Sequence, residues 1–168
     1  VDTQLAAIAE GFVAIEAARL AEAGHSVEEV LDHADEISRG VHFVGVVDTL
    51  EYLRKGGRIG RAAAWAGTLL NVKPLITIRG DVGPVGRVRS RKRALQYFAE
   101  VFRHETHAGK KVHLSVCHAD APAEAEEARK MLFEVREPDE FYLTEFSPVL
   151  GTHTGPDLVG IAFYESDR

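Results

Sequence analysis

Between Leu50 and Arg93 the chain reads LEYLRKGGRIGRAAAWAGTLLNVKPLITIRGDVGPVGRVRSRKR, and this stretch constrains the fold more than any other. Gly56-Gly57 stops a short helix, Thr49 to Lys55. Pro74 opens a strand, Leu75 to Arg79, rich in Leu and Ile. Gly80-Asp81 turns the chain, and Val82 to Arg89 returns, broken by Gly83-Pro84. That is an antiparallel hairpin. Elsewhere helices and strands alternate, so the hairpin excludes an all-parallel sheet. The expected class is α/β, a mixed sheet with flanking helices.

The rest of the chain fills in that plan. Leu5, Ile8, Ala9, Phe12, Val13 and Leu20 fall on one helical face, and Gly24 is placed to end the helix. Ser26 and Glu29 form a capping box for a second helix reaching about Ile37. His42 to Val47 reads as a buried strand, followed by Asp48 as N-cap with Glu51 at the capping-box position. Arg61 to Leu70 reads as helix. Ser90 caps a helix from Arg91 to Thr106. Val112, Leu114 and Val116 alternate with His113 and Ser115, a strand with one buried face. Pro122 suits the first turn of a helix ending near Val135. Phe141 to Phe146 and Leu158 to Tyr164 are strands, with a rigid polar loop, GTHTGP (Gly151 to Pro156), between them. The chain opens at Val1, without Met, as if leaving a strand. Residues 1–40 are therefore expected to belong to, or link from, an N-terminal domain outside the sequence. Residues 41–168 would be the α/β domain.

Composition narrows the function classes. With 168 residues and 45% apolar content the chain can bury a core. A net charge of −6 argues against general nucleic-acid binding. The single Cys117 excludes an internal disulfide and fits a reducing, cytoplasmic compartment. No apolar run approaches the roughly 20 residues of a membrane span.

Three places can carry chemistry. Gly56 to Gly60 can bring backbone amides onto an anion, and the same residues serve equally as a helix C-cap and turn. The segment lacks the P-loop ending and the dinucleotide fingerprint. Arg87, Arg89, Arg91, Lys92 and Arg93 crowd five cations into seven positions. They are either a docking patch for a negative partner or a solvated helix start. His153, between Thr152 and Thr154 and followed by Gly155, can offer donors to a buried carboxylate. It can equally be a satisfied histidine in a tight turn. His104, His107, His113 and His118 form no metal-ligand spacing with Cys117, and no metal is assigned.

Taken in order, LEYLRKGGRIGRA, LLNVKPLITI, RVRSRKRAL and SPVLGTHTGP before GIAFY resemble the DegV family of bacterial fatty-acid-binding proteins, over essentially Val1 to Tyr164. The resemblance implies the C-terminal domain of a two-domain α/β fold that buries an acyl chain. It implies the binding subunit of a fatty acid kinase, not an enzyme itself, whose acyl phosphate product feeds phospholipid synthesis. By resemblance His153 holds the fatty-acid carboxyl, with Thr152, Thr154 and Gly155 beside it. Arg58 and Arg89, with Arg87 and Arg91 close by, face the kinase catalytic subunit. Leu70 and Ile76, with Leu69, Leu75, Ile161 and Phe163, are candidate tunnel walls or ordinary core. The family's hydroxyl ligands from an N-terminal domain have no counterpart here. No cofactor is expected beyond a bound long-chain fatty acid. The competing readings are a phosphate-handling enzyme using Gly56 to Gly60, which would need a Mg²⁺-binding carboxylate set, and a dimerisation or regulatory domain.

Overall fold

The computed structural model describes residues 1–65 and 71–167. Six strands make one mixed sheet: β1 (His42–Val46), β2 (Lys73–Arg79), β3 (Asp81–Val88), β4 (Lys111–Ala119), β5 (Glu140–Glu145) and β6 (Leu158–Ser166), in the order β3-β2-β1-β6-β4-β5. Only β4 and β5 pair in parallel; the other neighbours are antiparallel. The helices α1 (Ile8–Glu22), α2 (Val27–Gly40), α3 (Glu51–Lys55) and α6 (Pro148–Thr154) share one face of the sheet with a 3₁₀ turn, Gly60–Trp65. On the other face lie α4 (Arg91–Glu105) and α5 (Pro122–Val135). The expected mixed sheet between helices is what forms.

Local chemistry sets most boundaries. Ser26 accepts from the Glu29 amide while the Glu29 carboxylate accepts from Ser26 N, so the capping box of α2 is complete. The helix then runs to Gly40, three residues past the expected end. Ser90 Oγ accepts from Arg93 N and starts α4. Pro122 occupies the first turn of α5, where its missing N–H costs nothing. At the end of α1, His25 N donates to Leu20 O and Gly24 N to Ala21 O, which closes the helix in a Schellman motif.

Four expectations need correction. Asp48 does not cap α3. Its carboxylate instead accepts from Lys73 Nζ at 2.9 Å and Arg91 at 3.2 Å, while Glu51 pairs with Lys55. Thr49 Oγ1 accepts from the Glu51 amide in its place. The helix expected over Arg61 to Leu70 is a 3₁₀ turn as far as Trp65; Leu69 and Leu70 lie outside the described residues. Strand β3 is not broken at Gly83-Pro84. The pairing with β2 runs through a bulge between Leu75 and Ile76, which absorbs the extra residue. Finally, β4 is buried on both faces, not one. Val112, Leu114 and Val116 meet α4 and α5, while His113, Ser115 and Cys117 face α1 and α2.

Each apolar layer carries its own aromatic contacts. Phe12 on α1 meets Tyr164 edge-on with centroids 5.0 Å apart, and Phe102 on α4 meets Phe163 at 5.2 Å. His42 stacks on the Phe163 ring, with centroids 4.9 Å apart and the planes nearly parallel. Burial is the main cause that pushes the His42 pKa below its ordinary 6.5; Glu105 and Glu165 oppose the shift and Arg79 adds to it. The unfolded chain therefore takes up this proton first as pH falls. Stability is then lost from about pH 6.5 down through the lowered native value. His42→Phe should keep the stack and remove the titration. Urea midpoints of the variant should fall less than those of the parent chain between pH 7.5 and 5 (roughly, around the histidine value). Equal losses would show that the ring carries no such penalty.

Candidate functional site

Two short helices build the site. The α3 terminus closes as a Schellman motif: Arg58 N donates to Leu53 O at 2.9 Å and Gly57 N to Arg54 O at 3.2 Å. Gly57 occupies the left-handed position with φ 67°. Gly56 N donates to Tyr52 O. Three successive amides of the glycine segment are thus spent on carbonyls of their own helix, which leaves none of them for an anion.

The GTHTGP stretch is not a loop. Ser147 Oγ accepts from Leu150 N, Pro148 occupies the first turn, and Gly151 to Thr154 complete α6. The hydroxyl of Thr152 donates to Pro148 O, and that of Thr154 to Leu150 O and Gly155 O. Both hydroxyl protons are held inside the helix and its cap. Thr152 is exposed and Thr154 buried.

The helices α3 and α6 dock through a reciprocal pair of ring-on-glycine contacts. His153 Nδ1 of α6 sits where a Cβ on Gly56 would lie, and the Tyr52 ring of α3 fills the same place at Gly155. Any side chain at either glycine would approach those rings to below 3.0 Å. The glycines therefore fix how closely the helices approach and where the imidazole stands.

His153 lines a cleft of about 320 Å³ on the α3/α6 face. Its floor is mostly apolar, with Leu53, Ile78, Val82 and Leu150, and Arg58 stands at its side. His153 Nδ1 is buried without a hydrogen-bond partner, and neither ring nitrogen is hydrogen-bonded among the described residues. An unsatisfied buried polar atom of this kind costs about 1–3 kcal/mol. The cleft closes at one end where Gly80 N donates to Gln4 O, which brings Ala6 over it.

The other residues named from the sequence are spread more widely. Ile76 is fully buried in the core on the same face of the sheet; two positions on, Ile78 is the β2 residue at the cleft. Leu75, Ile161 and Phe163 pack on the opposite face, against α4 and α5. Leu70 lies outside the described residues. Arg58 and Arg89 are exposed and make no ion pair among the described residues. The Arg87 guanidinium lies 4.7 Å above the Trp65 ring. Arg91 is engaged inside the chain, with Glu124 and Asp48. Sequence reasoning missed Leu53, Ile78, Val82 and Leu150. Their apolar spacing marked them only as core, and nothing local places them around one histidine. Cys117 is buried, and burial pushes its thiol up to about 12, so it is no nucleophile. Among the described residues no helix is long and apolar enough to cross a membrane.

The profile of a family described as an uncharacterised protein family, DegV, matches residues 1–166. A DegV domain-containing protein of Streptomyces coelicolor is 38% identical over 163 residues, which cover 96% of this chain and 58% of that protein. A solved DegV family protein from Thermus thermophilus, described by its fatty-acid binding, superposes with a TM-score of 0.93 at 34% identity, over 99% of this chain and 60% of its own. DegV of Bacillus subtilis, described as a fatty acid binding protein, gives a TM-score of 0.84 at 33% identity, over 99% and 60%. The chain thus spans about three-fifths of the length of the relatives it matches.

Proposed function

The chain belongs to the DegV family, and from that premise we propose that it forms one wall of a fatty-acid site and that His153 holds the ligand carboxyl. The observation that carries this reading is the imidazole itself, seated on Gly56 at the edge of an apolar cleft with its hydrogen-bonding capacity unspent. A carboxylate leaving water needs a charged or hydrogen-bonding partner. An alkyl chain gains about 0.8 kcal/mol per methylene buried, on the order of 10 kcal/mol for a long one before ordering costs. An apolar trough with one polar anchor matches both demands. Its 320 Å³ is at the small end of the roughly 300–1,000 Å³ of ligand sites. That fits a trough completed by a further domain, supplied by the remaining length of the relatives.

Native mass spectrometry of the full-length protein that carries this chain tests the reading. One long-chain fatty acid per chain is expected after mild purification. A clean apo mass that takes up no added fatty acid would contradict it.

We infer that the carboxyl is presented to a partner fatty acid kinase, with Arg58 bordering the cleft at the β2/β3 turn and Arg87 and Arg89, exposed at the other end of β3, as further contacts. Arg89→Ala should leave fatty-acid retention unchanged and slow acyl-phosphate formation by the partner kinase by roughly 10-fold, the scale of one lost charged contact. Equal loss of both activities would make Arg89 a structural residue. A phosphate-handling enzyme is less well supported. The amides of Gly56, Gly57 and Arg58 are occupied, and Asp48 and Glu51 are each neutralised by a cation of the chain.

A further inference from the structure

Near the other edge of the sheet, on the same face as the His153 cleft, four elements bring together a set of metal-type ligands. Glu16 comes from α1, His33 from α2, His113 from β4 and Glu140 from β5. One ligand atom from each of Glu16, His113 and Glu140 lies within 4.8 Å of the others. His113 Nδ1 is 2.8 Å from Glu140 Oε2. His33 Nε2 is buried, has no hydrogen-bond partner, and stands 3.6 Å from Glu16 Oε2. The four side chains retain only 13%, 18%, 10% and 24% of their exposure, in that order. They border a cavity of about 690 Å³.

The surroundings are those of a supported ligand set. His113 Nε2 lies 3.1 Å from Ser166 Oγ, an oxygen partner on the ring nitrogen that faces away from Glu140. Tyr164 Oη donates to Glu16 at 2.9 Å, and Tyr142 Oη donates to Glu140 at 2.7 Å. Such outer contacts fix ligand orientation around a metal. Glu16, His113 and Glu140 place three ligand atoms within reach of one Zn²⁺, whose tetrahedral ligands stand roughly 3.3 Å apart, and His33, outside that trio but 3.6 Å from Glu16, completes two imidazoles and two carboxylates by a side-chain shift. A cation is already drawn to the carboxylates. The Arg19 guanidinium donates to Glu16 at 2.7 Å and to Glu140 at 2.5 Å, from a side chain that is 44% exposed. Its partial exposure gives it room to swing outward.

We propose that Glu16, His33, His113 and Glu140 form a Zn²⁺ site that ties α1 and α2 to the sheet, with the Arg19 guanidinium as the chain's own substitute for the ion. This site is independent of the fatty-acid reading and shares no residue with it.

The arrangement makes a prediction that a purely structural salt-bridge cluster does not. Removing Arg19 abolishes a competitor, so Arg19→Met should tighten Zn²⁺ binding several-fold. Loss of a ligand, in Glu140→Gln or His33→Gln, should weaken it at least ~10-fold. Calorimetric titration of Zn²⁺ into the purified chain reads both effects. His33→Gln, at a partly exposed helix position, keeps the ligand test valid if Glu140→Gln fails to fold. One ion per chain with these opposite shifts is expected. Absence of 1:1 binding, affinity unchanged in His33→Gln, or binding unchanged or weakened in Arg19→Met would each overturn the assignment.

Discussion

Gly155→Ala is expected to lower the stability of the chain by about 3 kcal/mol, the sum of a strained backbone and an overpacked contact. Gly155 has φ 78° and ψ 175°, a region that side chains of L-residues rarely enter. Its missing Cβ is the space taken by Tyr52, whose Cε2 would lie 2.7 Å from an added methyl. Tyr52 is partly exposed and can shift, so Tyr52→Ala in the same chain should recover the contact part of the loss but not the backbone part. Gly151→Ala is the internal control. It lies inside α6, which Gly155 caps, with nothing within 4 Å of its Cβ position. That substitution should be neutral or stabilising by up to about 1 kcal/mol, the helix preference of alanine over glycine. Urea denaturation of the three variants separates the terms. Equal midpoints for Gly155→Ala and the parent chain would mean the helix pair does not depend on this contact.

His153→Ala should behave in the opposite way, with a small effect on folding and a large one on binding. The imidazole makes no hydrogen bond among the described residues, so its removal leaves no partner stranded, and relief of the unsatisfied Nδ1 offsets the packing lost against Gly56. Stability should change by less than about 1 kcal/mol. A hydrogen bond to a charged group is worth about 1.5–3 kcal/mol. Fatty-acid affinity of the full-length protein should therefore fall roughly 10- to 100-fold. Gly56→Ala provides a positional test with the ring still present. The added methyl takes the place of Nδ1, so the imidazole must move, and retention should drop nearly as far as in His153→Ala. Competition with a fluorescent fatty acid measures both. Retention by Gly56→Ala at the parent level would show that ring position is unimportant.

How much of this was legible beforehand depended on whether the deciding partner was close in sequence. Ser26 with Glu29, Ser90 and Pro122 act within one helical turn, and the helices they start are where local pattern placed them. Asp48 looked like a cap because Glu51 follows three residues on. The cations that take it, Lys73 and Arg91, are far along the chain. The helix α6 was hidden because glycine and threonine are weak helix formers. Ser147-Pro148, a good helix start, was the available signal, and packing of Leu150 against the core completes the helix. The polar residues His113 and Ser115 made β4 look half-solvated. The helices on that face cover them, and Glu140 and Ser166 satisfy His113. His153 stood out in the sequence as an isolated imidazole among glycines and hydroxyls. Its cleft did not, because Leu53, Ile78, Val82 and Leu150 come from four separate elements that only the sheet order assembles.

The most direct test of the central claim is the carbon-13 NMR signal of [1-¹³C]palmitate bound to the full-length protein, compared between the parent and His153→Ala. If the imidazole grips the carboxyl, the parent should show one bound resonance, displaced from that of the free fatty acid, that shifts or broadens in the variant as affinity falls. An identical resonance and identical affinity in both proteins would place the carboxyl elsewhere and contradict the account.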